Sequence, residues 1–224
     1  IKTDNNGDTL WTKTFGGINN DQGCDIKQTT DGGFIISGET IKSSYPDIWL
    51  IKTDNNGDTL WTNTFGGWDH EGSSCVNQTS DKGFIITGTS NSFGSNTYSD
   101  LYLIKTDSNG TNIWAKVYGG SSTDKGSSVL QTKDGGFIVT GTTNSFGNGG
   151  YDLWLMKTDH QGDTLWTKTF GGAGYEQGFS IKETTDSGYV ITGSTTSYGN
   201  GTYELWIIKT DSQGDTTWTK TYGG

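Results

Sequence analysis

Short runs of apolar residues alternate along the chain with turns rich in Gly, Asp and Asn. Within residues 124–172 four runs follow one another: GSSVLQT from Gly126, GFIVTGTT from Gly136, YDLWLMKT from Tyr151 and DTLWTKTF from Asp163. Runs of this length, rich in Thr, Ile, Trp and Phe and bounded by turn residues, predict β-strands. We name these strands A, B, C and D in chain order.

Two of the connections are short enough to require antiparallel hairpins. KDGG joins A to B and DHQG joins C to D, and Gly in such turns can take a positive φ. Strands B and C are nearly continuous apolar runs, so both of their faces are expected to be buried. A single four-stranded sheet cannot cover both its own faces, whereas a stack of neighbouring sheets can.

The four-strand pattern repeats along the whole chain. The text IKTDNNGDTLWTKTFGG at residue 1 returns at residue 51 with one change, Lys13 to Asn63, and its Lys-Thr-Asp recurs at spacings of 50, 53, 52 and 52 residues. Such a period is typical of solenoids and propellers. The lysines that mark the copies are Lys2, Lys52, Lys105, Lys157 and Lys209.

Four antiparallel strands per repeat, placed radially, predict an all-β chain folded as a β-propeller in one domain over residues 1–224. A β-helix is the alternative fold, but its coils are usually shorter and its strands parallel, whereas tight turns require antiparallel hairpins. We favour a five-bladed type of ring with one incomplete position. A four-bladed ring with a spare hairpin, or closure between two chains, is the alternative. The predicted units are an outer half-blade at 1–17, with strands C and D alone, and complete blades at 21–65, 71–118, 124–170 and 176–222.

The order strand, DGG, strand, strand, D-x-x-G, strand, FGG resembles the blade repeats found in tandem in bacterial and archaeal surface and secreted proteins. Its layout is similar to NHL-type blades. The C–D turn, Thr3-Asp4-Asn5-Asn6-Gly7 followed by Trp11, also resembles the Asp-box of sialidase-like propellers. The resemblance implies a propeller at the cell surface or outside the cell, and no particular activity, because such blades carry many functions.

The repeated C–D turn also raises the question of a metal site. Asp4, Asn6 and Asp8 alternate as oxygen ligands do in some calcium loops. The later copies drift to Gln at the second position, and a turn held by an Asx-type hydrogen bond explains every copy. We therefore expect this text to be scaffold without a metal, and its Trp to pack the hairpin against the next blade.

Composition and charge exclude several classes of function. The net charge is −10, all fifteen basic residues are lysine, and no basic face for nucleic acid can be drawn. No apolar run approaches the roughly 18 residues of a membrane span. Cys24 and Cys75 fall on opposite sides of their strands and are expected to be free, buried thiols.

The sequence predicts a protein that is not an enzyme and has no cofactor. Sialidase chemistry depends on an arginine cluster, and this chain has no arginine. His160 lies in a C–D turn, and His70 beside Asp69 has no Ser or Cys in a distinctive context.

The variable loops are the predicted binding surface. The A–B and C–D turns should share one face and are nearly invariant, whereas the D–A and B–C loops on the opposite face differ among blades, as binding loops do. Trp68 and Tyr175 do not recur among the repeats and are the stronger ligand candidates, with Asp69 and His70 beside Trp68. Phe93, Phe146 and Tyr198 recur, so each could instead fold back to cap its blade.

An acidic residue precedes every A strand. If strand A is innermost, these residues ring the mouth of a central channel and could hold a cation; alternatively, each carboxylate accepts hydrogen bonds from nearby loop N–H groups. They are Asp21, Glu71, Asp124 and Glu176.

Two functions fit this pattern. The first is a binding module whose variable face takes a glycan or a protein. The second is a structural or adhesive repeat of a large surface protein, or a homo-oligomer that assembles through the incomplete blade.

Overall fold

The computed structural model describes residues 1–42, 44–94 and 98–223. Within these ranges the chain forms one two-stranded hairpin and four four-stranded antiparallel sheets, each with its strands in chain order. The N-terminal hairpin contains β1 and β2, sheet 1 contains β3 to β6, sheet 2 β7 to β10, sheet 3 β11 to β14 and sheet 4 β15 to β18. The strands are β1 Lys2–Thr3, β2 Thr9–Trp11, β3 Asp21–Gln28, β4 Phe34–Ile41, β5 Pro46–Thr53, β6 Thr59–Phe65, β7 Glu71–Gln78, β8 Phe84–Ser90, β9 Asp100–Thr106, β10 Asn112–Tyr118, β11 Asp124–Gln131, β12 Phe137–Thr143, β13 Asp152–Thr158, β14 Thr164–Phe170, β15 Glu176–Glu183, β16 Tyr189–Thr195, β17 Glu204–Thr210 and β18 Thr216–Tyr222.

Each A strand carries one extra residue at the same place. In sheet 3 the register between β11 and β12 shifts between Gly126 and Ser128, opposite Gly141. A Cβ atom on Gly141 would lie 1.8 Å from the Lys125 carbonyl oxygen, so only glycine fits beside this bulge. The second Gly of GFIVTGTT recurs in all four sheets because strand A packs too closely against strand B for a side chain at this position.

The core lies between successive sheets. Leu101 and Leu103 of sheet 2 pack against Phe137 and Trp154 of sheet 3, and equivalent clusters join sheet 1 to sheet 2 and sheet 3 to sheet 4. Strands β9, β12 and β13 are buried at every residue, as the continuous apolar runs predict. Sheet stacking thus supplies the burial that one sheet cannot provide for itself.

The repeated Lys-Thr-Asp text ties two turns together. The Lys105 ammonium is nearly buried and donates to the Asp81 carboxylate of the A–B turn and to the Thr106 carbonyl oxygen. In the C–D turn, Asp107 Oδ1 accepts hydrogen bonds from the N–H groups of Asn109 and Thr111. The same bonds recur in the other sheets, so the prediction of an Asx-type scaffold turn is confirmed.

The Trp of the repeated text packs against the following sheet, as predicted. The Trp114 ring lies 5.7 Å from that of Phe137, and Trp11, Trp61 and Trp166 make the same contact with the next B strand. This contact places the N-terminal hairpin against sheet 1 in the way that each sheet meets its successor.

The prediction of repeated four-stranded antiparallel sheets is confirmed. The five-bladed type of ring and the assignment of one domain to residues 1–224 stay predictions. Both cysteines are free, but only Cys75 is buried; the prediction of burial was wrong for Cys24, which is exposed on β3. The described part of the chain contains no helix that is long and apolar enough to cross a membrane.

Candidate functional site

Carboxylates at the starts of the A strands, three of them buried, hold the loops of the variable face. Glu71 accepts hydrogen bonds from the Gly67 N–H at 2.7 Å, the Ser92 N–H at 3.0 Å and the Ser90 hydroxyl at 2.8 Å. It therefore joins a D–A loop to the B–C loop of the same sheet. Asp124 and Glu176 do the same, with bonds from Gly120 and Ser145 to Asp124 and from Gly172 and Ser197 to Glu176. Asp21 accepts a bond from the Gly17 N–H of the D–A loop and one from the Thr40 hydroxyl of strand β4, so it holds only the D–A loop.

These contacts match the second interpretation of the four acidic residues. Burial raises the pKa of Glu176, but the hydrogen bonds from Gly172 and from the B–C loop outweigh burial and lower this pKa. Its carboxylate is thus kept ionised as a loop anchor. A role for the four residues around a channel stays a prediction.

The sequence analysis missed a second set of acidic residues, at the starts of the C strands. A Cβ atom on Gly171 would lie 1.9 Å from Asp152 Oδ1 and 2.5 Å from Glu176 Oε2, so the first Gly of FGG leaves room for two carboxylates. Burial raises the pKa of Asp152, and the Glu176 charge adds to the rise, despite a hydrogen bond from the Asn148 N–H. The acidic residue that ends every B–C loop was the available signal: Asp47, Asp100, Asp152 and Glu204.

The three recurring aromatic residues fold back onto the C strands. The Phe93 ring lies 5.6 Å from that of Tyr102, and Phe146 and Tyr198 lie 5.6 Å and 5.3 Å from the Trp residues at the equivalent position. Each side chain covers its sheet, as the capping interpretation expects, while keeping an exposed edge. A ligand role for the three stays a prediction.

The non-recurring aromatic residues lie in separate loops. Trp68 is 62% exposed in the loop between sheets 1 and 2, and Tyr175 is 52% exposed in the loop between sheets 3 and 4, where its ring lies 5.9 Å from that of Tyr151. The Asp69 carboxylate accepts a hydrogen bond from the His70 N–H. His70 Nε2 lies 3.7 Å from Glu39 Oε2, which connects this loop to sheet 1.

Sheet 1 differs from the others in its B–C loop. In the sequence of this loop, Ser43 stands at the position that Phe93, Phe146 and Tyr198 occupy in the other sheets. A cleft of about 840 Å³ opens there, within the size range of small-molecule sites. Its walls include Phe15, which follows β2, together with Asn19, Asn20, Asp21, Gln22 and Glu39.

A smaller cavity of about 210 Å³ adjoins this cleft and shares Phe15, Asp21 and Gln22 with it. Its lining includes Trp49, which occupies the C-strand position that Phe93 covers in sheet 2 and is only partly buried. Trp49 is therefore more exposed than Tyr102, Trp154 and Trp206 at the equivalent positions, and it lies beside a polar cleft.

The cleft combines carboxylate and amide groups with aromatic surface. Hydrogen bonds from the Thr40 hydroxyl and the Gly17 N–H lower the pKa of Asp21, so this carboxylate is ionised at neutral pH. The Asn19 side-chain amide donates to the Ile41 carbonyl oxygen at 2.8 Å, which fixes its orientation. Among the residues that the structure describes, no three His, Cys, Asp or Glu side chains group together as metal ligands. The arrangement suits a neutral ligand with many hydroxyl groups.

No family model matches this chain, and no curated protein matches it. Among solved structures, the fold is similar to a protein from Bifidobacterium bifidum s17 that is provisionally named an exo-beta-1,3-galactanase. The two share 15% sequence identity with a TM-score of 0.53 over 89% of this chain and 71% of that one. A second match, to a eukaryotic initiation factor, has 8% identity and a TM-score of 0.36, over 90% of this chain and 55% of that one. The first likeness shows the all-β repeat fold alone.

Proposed function

We propose that the chain is a non-enzymatic binding module for a glycan, built on a propeller-type scaffold of the kind found in surface and secreted proteins. The observation that carries the proposal is the cleft on sheet 1. There the partly buried Trp49 lines a cavity that adjoins a set of amide and carboxylate groups.

The chemistry of the cleft supports a sugar ligand. Side chains such as Asn20, Gln22 and Glu39 offer donors and acceptors that can pair with hydroxyl groups. The rings of Phe15 and Trp49 offer apolar surface for the C–H face of a pyranose. A phosphorylated or acidic ligand is disfavoured, because the lining holds two carboxylates and no lysine.

Galactan is the first ligand to test, because the similar structure carries a galactanase name. We would titrate the protein with soluble β-1,3-galactan oligosaccharides by calorimetry and compare wild type with Glu39→Ala and Gln22→Ala. The proposal predicts saturable binding that each substitution weakens by about tenfold, as expected for the loss of a hydrogen bond to a bound hydroxyl.

Matched controls lie at the same positions of other sheets. In sheet 4, Ser194 occupies the position of Glu39 and Gln177 that of Gln22. Ser194→Ala and Gln177→Ala should leave the affinity unchanged. If the control substitutions weaken binding as much as the cleft substitutions do, or if a panel of neutral glycans shows no binding, the proposal is wrong.

Glycoside hydrolysis is the second candidate, because Asp21 and Glu39 place two carboxylates in the same cleft. A hydrolase of this kind needs one acid and one base or nucleophile. Release of reducing sugar from galactan, abolished by Glu39→Gln, would establish it. Binding without turnover would favour the module.

A further inference from the structure

At each of the four junctions a Trp contacts the next C–D turn, and at three of them a Lys also pairs with an Asp of that turn. At the junction of sheets 2 and 3, the Trp114 ring would lie 3.0 Å from a Cβ atom on Gly162 of the C–D turn. Beside it, the Lys116 ammonium binds the Asp163 carboxylate of that turn at 2.5 Å. The Trp-on-Gly contact occurs at all junctions, and Lys–Asp pairs of 2.7 Å also join Lys13 to Asp58 and Lys168 to Asp215.

Sheet 4 exposes to solvent the Trp and Lys side of this contact, which we call the donor half. Trp218 is 44% exposed, and the Lys220 ammonium lies 5.9 Å from its ring. Leu205 of the same sheet is 49% exposed, although Leu101 and Leu153 are buried at the equivalent position of sheets 2 and 3. Sheet 4 therefore carries an apolar surface of the kind that a neighbouring sheet covers at the other junctions.

The N-terminal hairpin exposes the Gly and Asp side of the contact, which we call the acceptor half. Gly7 has φ +87°, close to the +80° of Gly57, so the turn already has the acceptor conformation. A Cβ atom on Gly7 would meet nothing within 4 Å, whereas one on Gly57 would meet Trp11 at 2.7 Å. The Asp8 carboxylate is exposed and accepts no hydrogen bond from the described residues.

We propose that the exposed surface of sheet 4 and the exposed turn of the hairpin bind each other between copies of this chain. Trp218 of one copy packs over Gly7 of the next, and Lys220 pairs with Asp8. The partner is a second copy, because the exposed Trp and Lys and the exposed Gly and Asp are the same residue types, with the same charges, that join successive sheets within the chain. Such a head-to-tail contact is heterologous, so it builds a closed ring or an open filament according to the angle between copies.

Light scattering coupled to size exclusion over a wide concentration range tests the contact. The mass of the wild-type protein should rise with concentration. Lys220→Glu places two carboxylates opposite each other, and Trp218→Ala removes the packed ring, so each should weaken association by about tenfold or more. Leu165→Ala, which truncates a comparably exposed D-strand residue of sheet 3, should change nothing.

A mixing experiment fixes the pairing. Asp8→Lys and Lys220→Glu proteins should each associate far more weakly alone than wild type, but their mixture should associate, because the unchanged charges and the reversed charges each form a pair of opposite sign between the two variants. A wild-type monomer at all concentrations would overturn the proposal. Association that survives Lys220→Glu and Trp218→Ala would also overturn it. Both side chains are exposed, and unchanged melting temperatures would show that the variants fold.

Discussion

The lysine of the repeated text should stabilise the fold through the carboxylate of the A–B turn. In sheet 3 the Lys157 side chain is 5% exposed, and its ammonium lies 2.9 Å from Asp134 and 3.1 Å from the Thr158 carbonyl oxygen. The Asp134 carboxylate also accepts bonds from the Thr132 hydroxyl and the Gly136 N–H. Asp134→Asn keeps an acceptor oxygen for the latter two bonds and removes the charge that faces the lysine.

The size of the effect follows from the shift in the pKa of Asp134. Burial raises this pKa, but the hydrogen bonds from Thr132, Lys157 and Gly136 outweigh burial and lower the pKa from 3.8 to about 2. The full shift corresponds to roughly 2.5 kcal/mol. The aspartate side chain is 60% exposed, so solvent screens the pair, and the lysine supplies only part of the shift. We therefore expect Asp134→Asn to lower the free energy of unfolding by about 1 kcal/mol at pH 7.

The pH dependence gives a second, independent reading. The folded-state pKa of Asp134 is depressed, so its contribution is present above the unfolded-state pKa and is lost as the pH falls through the folded-state value. The difference between wild type and Asp134→Asn should thus shrink between about pH 4 and pH 2. Urea unfolding followed by tryptophan fluorescence at pH 7, 4 and 2 measures it.

A matched control separates the ion pair from the turn. Asp54 makes the same kind of Asx turn, with bonds from two N–H groups, but no lysine contacts it. Asp54→Asn should therefore change stability by less than about 0.5 kcal/mol. Equal effects of the two substitutions at pH 7, or a difference that persists at pH 2, would refute the reasoning.

Three further predictions follow from the packing between sheets. Asp47→Asn should stabilise the protein by about 0.5 kcal/mol at pH 7 and by nothing below pH ~4. Burial and the charge of Glu71 raise the pKa of Asp47 in the folded protein. Wild type therefore loses stability as the pH rises through this pKa and the carboxyl group ionises, whereas an amide does not ionise. Urea unfolding at both pH values checks it, and destabilisation at pH 7 would contradict it. Gly119→Ala should cost about 2 kcal/mol in the same assay, since its Cβ would lie 2.1 Å from one carboxylate oxygen and 2.7 Å from another, whereas Gly17→Ala, with open space around it, should cost less than about 0.5 kcal/mol. Trp114→Ala should lower the free energy of unfolding by about 3 kcal/mol and Trp218→Ala by less than about 0.5 kcal/mol in dilute protein; equal losses would show that the exposed tryptophan packs within its own chain.

The strands and turns were predictable because they depend on local patterns. Continuous apolar runs mark strands B and C, and the Gly and Asp of the short connections mark hairpin turns. The packing of Trp114 onto the next sheet also followed, because an aromatic residue at a fixed place in every repeat needs a repeated partner. Sequence reasoning reached the hydrogen-bonded loop carboxylates as one of two alternatives, since a side chain before a strand can face either a loop or a channel.

The features that were missed depend on contacts between distant parts of the chain. A lysine such as Lys105 is polar and looks solvent-facing in a pattern of apolar positions; its burial depends on Asp81, a residue of a different turn. The cleft on sheet 1 combines Phe15, which follows β2, with side chains of β3 and β4, and no local pattern brings these residues together. Ring closure depends on the angle between sheets, which no local pattern encodes.

The central claim is that the cleft on sheet 1 holds the ligand. Two-dimensional NMR of the ¹⁵N-labelled protein, titrated with a β-1,3-linked galacto-oligosaccharide, tests it most directly, because the side-chain amides of Asn19, Asn20 and Gln22 and the indole N–H of Trp49 report on the site. We predict shifts of these signals that saturate together, with the signals of the loop around Tyr175 unchanged. Shifts that centre on Trp68 or Tyr175 instead, with the cleft signals unmoved, would contradict the account.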